Sequence, residues 1–195
     1  MTGIDDTGGR SRWPVYPDLV GKVAVVTGGS RGLGAEACRA LGANGVKVAV
    51  NGRDTEAIGK VVGEVSEAGG TALAAPADCT DFFALAALSQ RVEDQLGPVG
   101  VLLCFAGSGR QPQPVSEIDI HEWHADVEQN LTATFLTVKA FLPGMTARRS
   151  GSIITMASVA ARLPGGAPIA YASARPASSC SPSRWPRMPG PAACG

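Results

Sequence analysis

Three glycines, Gly28, Gly32 and Gly34, stand between a short β-branched run and an alanine-rich stretch. Where a strand turns into a helix, glycines at this spacing allow a tight turn, a close approach of backbone to a pyrophosphate, and contact between helix and strand. The free N–H groups of the helix N-terminus then face the phosphates. Because TGGSRGLG also lies within a strand–helix–strand unit, it predicts a dinucleotide site. The predicted cofactor-binding residues of this turn are Thr27, Gly28, Ser30, Arg31, Gly32, Leu33 and Gly34.

The residues that end the second predicted strand bear on which dinucleotide is bound. An acidic residue there would bond both ribose hydroxyls and repel a 2′-phosphate, but the chain has Asn51, Gly52 and Arg53. Asn51 is neutral, and the guanidinium groups of Arg31 and Arg53 can form charge-assisted bonds to a phosphate. The pattern favours NADP(H), with NAD(H) as the alternative. Two solvated surface arginines are the competing interpretation.

Five short runs rich in valine, isoleucine, leucine and alanine have the pattern of buried parallel strands. The predicted strands are Lys22 to Thr27, Val46 to Asn51, Thr71 to Ala75, Val99 to Phe105 and Ser152 to Met156. Four helices are predicted between these strands. The first ends near Ala43, and the second runs from Thr55 to Ala68 after an Asp54 cap. The third runs from Thr80 or Asp81 to Leu96, and the fourth from Ile120 to Arg149, with a break near Pro143 and Gly144.

This alternation of strands and helices predicts an α/β fold: a Rossmann-like, doubly wound parallel sheet with helices on both faces. A single domain is expected over residues 19–174, ending after the fifth strand. Residues 1–18 are polar and rich in glycine and proline, which predicts a flexible N-terminal arm.

Composition limits the partners and the compartment. The chain has 17 basic and 17 acidic residues, so no global field favours nucleic acid or an anionic membrane. No apolar run approaches the length of about 18 residues that a membrane span needs, and the N-terminus lacks the apolar region of a signal peptide. The five cysteines form no CxxC motif, which favours a reducing compartment. We expect a cytoplasmic protein that binds neither nucleic acid nor membrane.

Further residues follow the glycine turn in a distinctive order: Ala106 and Gly107 after the fourth strand, Asn130 in NLTATFL, Ser158 in IITMASVA and Tyr171 in YASAR. The separations are 28 residues from Asn130 to Ser158 and 13 from Ser158 to Tyr171. Singly, each has an ordinary structural interpretation. As a set, they resemble the short-chain dehydrogenase/reductase family, with its TGxxxGxG loop, NNAG motif, catalytic serine and YxxxK tyrosine.

The resemblance covers about residues 18–174, and the opening VYPDLVGKVAVVTGG is similar to the 3-oxoacyl-carrier-protein reductase and glucose 1-dehydrogenase branches. It implies hydride transfer between a nicotinamide and a small-molecule carbonyl or secondary alcohol, with Tyr171 as general acid/base. It also implies that Ser158 bonds the substrate oxygen, that Asn130 holds a water of a proton relay, and that Ala106 and Gly107 lie at the cofactor. A homotetramer is the implied assembly.

The chain departs from the family where the tyrosine needs a partner. The phenol of a tyrosine has a pKa of about 10 in water, and the family places a lysine one helical turn on to assist it. This chain has Arg175, which keeps the charge but cannot relay protons. Pro176 follows, so the helix is not expected to continue. Cys104 and Phe105 stand where the family has two asparagines.

Other polar residues carry weaker signals. Asp78 after the third strand is a candidate for bonding the adenine amine, as the resemblance suggests, or a helix-capping acid. Cys79 is placed at the same end of the cofactor and is otherwise a small core residue. His121 and His124 are three residues apart, but no third ligand is near, so no metal site is expected.

Residues 175–195, RPASSCSPSRWPRMPGPAACG, differ in composition from the rest of the chain. If one base was lost after the codon of Ala174, restoring it converts several serine codons into apolar ones and yields an amphipathic helix. We therefore expect a frameshift there, with residues 175–195 as a non-native, disordered tail that leaves the domain truncated.

Three functional interpretations follow from these motifs and departures. The chain is an NAD(P)(H)-dependent oxidoreductase, a catalytically impaired dinucleotide-binding fragment because Arg175 replaces the lysine, or a fragment without a stable fold. A poorly soluble and at most weakly active polypeptide is expected. The substrate stays open among 3-oxoacyl thioesters, sugars, steroids and small ketones.

Overall fold

The structure is a computed structural model that describes residues 13–162 and 166–178 of the 195-residue chain. Its strands are β1 (Val23–Thr27), β2 (Lys47–Gly52), β3 (Thr71–Pro76), β4 (Val99–Cys104) and β5 (Ser152–Thr155). Its α-helices are α1 (Gly32–Ala43), α2 (Thr55–Glu67), α3 (Phe82–Leu96), α4 (Ile120–Val127), α5 (Ala133–Ala147) and α6 (Ile169–Ser178).

The strands form one parallel sheet in the order β3-β2-β1-β4-β5. In its middle, Val25 of β1 lies beside Ala49 of β2 and Leu102 of β4. The strand order reverses between β1 and β4, and in open α/β sheets such a reversal opens a crevice at the carboxyl ends of the strands. The predicted Rossmann-like α/β fold with a doubly wound parallel sheet is confirmed.

In the central strands β1, β2 and β4, successive residues point to opposite faces of the sheet, and both faces are buried. The edge strands β3 and β5 are more exposed. Val25 belongs to a core that α3 and α5 complete with Leu85 and Phe141. Its neighbour Val26 belongs to a second core, which α2 completes with Ile58. Burial on both faces explains why the strands are continuous apolar runs without polar alternation.

Local capping fixes where the helices begin. The Asp54 carboxylate accepts a hydrogen bond of 3.0 Å from the backbone N–H of Ala57 at the start of α2. The Asp81 carboxylate accepts bonds from the N–H groups of Phe83 and Ala84 at the start of α3. Gly97, with φ of 105°, ends α3. These caps follow from residue type, and the sequence predicted them.

The break predicted near Pro143 and Gly144 is wrong. The helical segment is interrupted earlier, by a π-helical turn at Glu128–Thr132 that separates α4 from α5. The Asn130 side chain explains the wider turn, because its Nδ2 donates to the Asp126 carbonyl that a regular helix would bond. Pro143 lies inside α5, where the buried packing of that helix offsets the roughly 3 kcal/mol that an interior proline costs.

The prediction that the last helix cannot pass Arg175 is also wrong. Helix α6 continues through Arg175 and Pro176 to Ser178. Pro176 stands near the carboxyl end of α6, so its missing N–H removes a single bond of the helix. The buried side chains of Ala172 and Ala174 hold the preceding turn in place, which outweighs the local preference.

Both ends of the chain extend outside the described residues. Of the predicted arm, residues 13–18 are described, and Asn44 binds them: its Oδ1 accepts a 2.6 Å bond from the Tyr16 N–H, and its Nδ2 donates to the Pro14 carbonyl. Residues 1–12 and 179–195 lie outside the described part, so the predicted arm, tail and frameshift stay predictions. Within the described part, no helix has the length and apolar content to cross a membrane.

Candidate active site

A cavity of about 600 Å³ opens at the carboxyl ends of the strands, beside the reversal of strand order. Its walls come from the turn after β1, the loops after β2, β3 and β4, the π-helical turn and helix α6. The sequence-predicted site residues on these walls are Gly28, Ser30, Arg31, Gly32, Leu33, Gly34, Asn51, Arg53, Asp78, Cys79, Ala106, Gly107, Tyr171 and Arg175. A volume of this size suits an extended small molecule.

The glycine turn depends on backbone contacts that leave no room for a side chain. A Cβ on Gly34 would overlap the carbonyl oxygen of Gly28, because helix α1 begins directly against the turn. Gly28 has φ of 65°, and a Cβ there would lie 2.9 Å from the backbone nitrogen of Ala106. Gly32 has φ of 52° and open space around it. The turn therefore exposes backbone N–H groups at the N-terminus of α1, an arrangement suited to a phosphate.

Thr27 lies behind this wall instead of lining the cavity. Its side chain is 1% exposed, and its Oγ1 accepts hydrogen bonds of 3.1 and 3.2 Å from the N–H groups of Phe105 and Ala106. Oγ1 also lies 3.4 Å from the Leu103 carbonyl, to which it donates. Thr27 thus joins the end of β1 to the loop after β4 and fixes the two walls relative to each other.

Asn51 is fully buried and has its polar atoms satisfied by the protein. Its Nδ2 donates to the carbonyls of Ala75 and Ala77 at 2.8 and 3.1 Å, and its Oδ1 accepts from the Cys79 thiol at 3.1 Å. Asn51 therefore ties the end of β2 to the loop after β3. Burial raises the pKa of the Cys79 thiol to about 11, so this cysteine is a protonated wall residue and a poor nucleophile.

Two arginines lie at the rim of the cavity, each beside a carboxylate. The guanidinium of Arg31 is paired with Asp54, and that of Arg53 lies 3.8 Å from Asp78. Both arginine side chains are more than two-thirds exposed, so these pairs are held weakly. The arginines are therefore available to an anion that enters the cavity. The sequence indicated Asp54 only as a helix cap, and its pairing with Arg31 had no local signal.

The two rim carboxylates are held in the charged form mainly by backbone groups. The N–H of Ala57 holds the pKa of Asp54 below its ordinary value, and the nearby Arg31 acts in the same direction. For Asp78, the N–H of Thr80 has the same effect on the pKa. This bond, in which the Asp78 Oδ1 accepts from the Thr80 N–H at 2.9 Å, lies in the loop before α3, and the residue that caps α3 is Asp81 instead of Asp78.

At the opposite end of the cavity, Tyr171 and Arg175 lie one turn apart on α6. The guanidinium carbon of Arg175 is 4.9 Å from the centroid of the Tyr171 ring. Arg175 is 2% exposed, and its Nη1 donates a 3.0 Å bond to the carbonyl of Met156. The phenol therefore has a fixed positive charge beside it, although the lysine of the family pattern is missing.

Asn130 lies behind the same end of the cavity. Its Nδ2 donates to the Ser108 carbonyl at 2.8 Å, besides the bond to Asp126 that widens the helix. Its Oδ1 has no hydrogen-bond partner among the described residues. A Cβ on Gly107 would lie 2.5 Å from this Oδ1 and 2.6 Å from Nη2 of Arg175, so both groups converge on the bare backbone of Gly107.

Ser158 does not line the cavity with Tyr171. It is half-buried after β5, where its Oγ accepts a 3.2 Å bond from the N–H of Ala160 and caps the 3-10 turn Val159–Ala161. A hydroxyl that accepts one bond still has its proton to donate. The structure thus brings Tyr171 and Arg175 together and leaves Ser158 at the margin.

Several wall residues were not among the predicted site residues. They contribute backbone, aliphatic surface or single polar groups, and only the folded loops bring them to the cavity: Gly52, Asp54, Ala77, Thr80, Phe105, Ser108, Gln129, Ala133 and Met156. His121 and His124 are exposed on α4. Within residues 13–162 and 166–178, no group of three or more side chains is arranged to hold a metal ion.

Comparison with known proteins agrees with this architecture. Residues 22–179 match the short chain dehydrogenase family, and the chain belongs to it. A short chain dehydrogenase of Pseudocercospora fijiensis is 37% identical over 162 residues, which are 83% of this chain and 52% of that protein. The 2,3-dihydro-2,3-dihydroxybenzoate dehydrogenase of Bacillus subtilis is 35% identical over 82% of this chain and 60% of its own length. The chain thus spans little more than half the length of these two relatives.

A solved structure supports the same assignment. The crystal structure of a metagenomic short-chain oxidoreductase in complex with NADP matches this chain with a TM-score of 0.78 and 37% sequence identity. The match covers 83% of this chain and 73% of that one. The predicted membership of the short-chain dehydrogenase/reductase family is confirmed.

The backbone contact at Gly34 gives a direct test of the dinucleotide turn. Gly34→Ala would force α1 away from Gly28, and we expect the affinity for NADP⁺ to fall about tenfold or more, the equivalent of about 1.4 kcal/mol. Gly63→Ala is the matched control, because Gly63 is also helical and its Cβ would meet open space. Isothermal titration calorimetry measures both, and unchanged affinity in Gly34→Ala would refute the assignment.

Proposed function

We propose that this protein is an NAD(P)(H)-dependent oxidoreductase that transfers a hydride between a nicotinamide and a carbonyl or secondary alcohol. The observation that carries the proposal is a single cavity with a glycine turn at one end and the Tyr171–Arg175 pair at the other. The bound nicotinamide supplies the hydride acceptor or donor. The chain's own residues bind the dinucleotide, orient the substrate and exchange the proton.

Two features of the cavity support the binding of a dinucleotide. The helix N-terminus behind the glycine turn presents N–H groups where a side chain on Gly34 would otherwise stand. The wall between the two ends includes Ala106 and Gly107, of which Gly107 has no side chain and φ of 132°. The space that a side chain on Gly107 would need is taken by Asn130 Oδ1 and Arg175 Nη2, so the glycine brings these two polar groups to the cavity wall next to Tyr171.

Tyr171 is the proton donor and acceptor in this proposal. A carbonyl oxygen that takes up a hydride on its carbon gains negative charge and needs a proton, which a positioned phenol can give. The Arg175 guanidinium, 4.9 Å from the ring centroid, stabilises the negative charge left on the phenol oxygen. In the oxidation direction, the same phenolate takes the proton of the alcohol.

Asn130 and Ser158 have supporting roles. The unpaired Oδ1 of Asn130 lies beside the guanidinium of Arg175, at a place where a water molecule would find two polar partners. We assign to that water the connection between the site and the exterior. Ser158 keeps its hydroxyl proton for the substrate oxygen, which requires the substrate to extend beyond Tyr171 toward the end of β5.

The burial and bonding of Arg175 favour a second function, which is dinucleotide binding with impaired catalysis. The guanidinium is 2% exposed and bonded to the Met156 carbonyl. An arginine guanidinium, unlike a lysine ammonium, does not serve as a proton relay. In this alternative the cavity binds the dinucleotide, and turnover is slow because the proton that Tyr171 exchanges with the substrate is not replaced from solvent.

We further propose NADP(H) as the preferred dinucleotide, with NAD(H) as the alternative. Arg31 and Arg53 lie at the rim beyond the glycine turn, and each is only loosely paired. Neither Asn51 nor Gly52 presents an acid that would repel a 2′-phosphate. The NADP bound in the related metagenomic structure supports this preference.

For the substrate we propose a small ketone, a sugar or a 3-oxoacyl compound. Support comes from the similarity of residues 15–29 to the 3-oxoacyl-carrier-protein reductase and glucose 1-dehydrogenase branches. The related 2,3-dihydro-2,3-dihydroxybenzoate dehydrogenase of Bacillus subtilis adds a substrate that carries hydroxyl groups. Assembly into a homotetramer stays a prediction.

Removal of the phenol oxygen tests the catalytic role. We expect Tyr171→Phe to lower kcat for NADPH-dependent reduction of a diketone by about 10²- to 10⁴-fold, the usual contribution of a positioned acid. The affinity for NADPH should not change, because the ring remains. Tyr16→Phe is the control, since Tyr16 is the other tyrosine of the chain, is half-exposed and does not line the cavity. Equal turnover in Tyr171→Phe and the native protein would rule out the proposed role.

Removal of a rim charge tests the choice of dinucleotide. Arg53→Ala deletes one of the two guanidinium groups at the rim, and we expect a loss of about five- to thirtyfold in NADP⁺ affinity, equivalent to about 1–2 kcal/mol. NAD⁺, which lacks the 2′-phosphate, is the internal control and should bind as before. Equal losses for both dinucleotides, measured by calorimetry, would contradict a phosphate contact.

A further inference from the structure

We infer that an ion cluster of Arg110, Glu122 and Asp126 is a positioning device that holds the Ser108–Arg110 segment against Tyr171. The placement of the segment is independent of the reaction, and only its effect on turnover rests on the proposed function. The cluster lies outside the main cavity, beside a small second cleft between α4 and the start of α6. None of its three residues belongs to the sequence-predicted site.

The segment faces the tyrosine with the bare backbone of Gly109. A Cβ on Gly109 would lie 3.4 Å from Cγ and 3.5 Å from Cδ2 of Tyr171, and 3.5 Å from Cγ of Pro168. The main chain of Gly109 thus faces the ring and Pro168 across a gap of about one methyl group. The segment therefore limits how far the Tyr171 ring can move toward it.

The segment is anchored to the adjacent helical segment on both sides of Gly109. Before it, the Ser108 carbonyl accepts a 2.8 Å bond from Nδ2 of Asn130. After it, Nε of Arg110 donates a 3.0 Å bond to the Asp126 carboxylate, and Nη1 lies 3.3 Å from the Glu122 carboxylate. An irregular loop with two such anchors has little freedom to lift from the ring.

Burial decides which of these bonds matters most. The Asp126 side chain is 9% exposed, whereas those of Arg110 and Glu122 are 45% and 38% exposed. Water screens a buried carboxylate poorly, so Asp126 requires a cation within bonding distance. Glu122 and Asp126 are also four residues apart on α4, where two carboxylates repel each other. The Arg110 guanidinium offsets both the burial of the Asp126 charge and the repulsion between Glu122 and Asp126. The loop is therefore held firmly to the helix.

The consequence is that two separate groups fix the Tyr171 ring. Helix α6 itself supplies the guanidinium of Arg175, and the loop after β4 supplies the backbone of Gly109. Loss of the ion cluster would make the Ser108–Arg110 segment mobile, while α6 and the glycine turn would stay intact. A misplaced phenol slows proton transfer without weakening the binding of dinucleotide at the other end of the cavity.

The experiment compares Arg110→Ala with the native protein and with Arg148→Ala. Arg148 is a matched control, because it also joins two elements through a partly exposed ion pair, with Glu93 at 2.9 Å, and neither residue lines the cavity. The first readout is hydrogen–deuterium exchange of the amides of residues 107–111. The second is nitration of Tyr171 by tetranitromethane, followed by peptide mass spectrometry with Tyr16 as the internal reference.

In Arg110→Ala we expect both rates to rise by about threefold or more, as local opening becomes easier. We also expect kcat to fall while the affinity for NADPH stays unchanged. Arg110→Lys, which keeps the positive charge, should restore kcat and the native rates of exchange and nitration. Glu122→Gln, which leaves the buried Asp126 pair intact, gives smaller changes in the same direction and serves if Arg110→Ala does not fold. Arg148→Ala leaves exchange, nitration and kcat as in the native protein.

Native exchange and nitration rates in both Arg110→Ala and Glu122→Gln would overturn the inference, whatever their turnover. Faster exchange in Arg148→Ala to the same degree would also overturn it, since the effect would then be general. Faster exchange and nitration confined to the Arg110 and Glu122 variants, in a protein that shows no reductase activity, would support the inference and count against the proposed function.

Discussion

The site is organised around one buried positive charge. Arg175 is 2% exposed at the carboxyl end of the sheet, and a guanidinium removed from water needs compensating contacts. It has the Met156 carbonyl at 3.0 Å, the ring of Tyr171 at 4.9 Å, and the bare backbone of Gly107. Helix α6 therefore carries the phenol and its cation as a unit, and a side chain on Gly107 would collide with that unit.

The parallel sheet brings this unit and the glycine turn to one cavity. Strand order reverses between β1 and β4, so the loops after these strands form facing walls. The Thr27 hydroxyl, bonded to the N–H groups of Phe105 and Ala106, fixes the distance between the walls. The glycine turn and the loop after β4 are thus held by the central strands, whereas the rim arginines lie on exposed turns.

The sequence predicted what depends on local chemistry and missed what depends on distant contacts. Caps at Asp54 and Asp81, the alternation of strands and the glycine turn follow from residue type and spacing. The π-helical turn at Asn130 does not, because it forms where the amide also meets the Ser108 carbonyl of another loop. Likewise, helix α6 continues past Pro176 because the packing of the preceding residues outweighs the tendency of proline to end a helix. The Arg110–Asp126 pair was not predicted either, since it joins a loop to a helix 16 residues later.

The central claim is that Arg175 supplies the charge that Tyr171 needs, and kcat for carbonyl reduction in Arg175→Met tests it most directly. Met has a similar length and no charge, so NADPH affinity measured alongside reports whether the cavity survives. The account predicts intact binding and a loss of turnover of about a hundredfold or more, with Arg175→Lys at least as active as the native protein. Native turnover in Arg175→Met would contradict it.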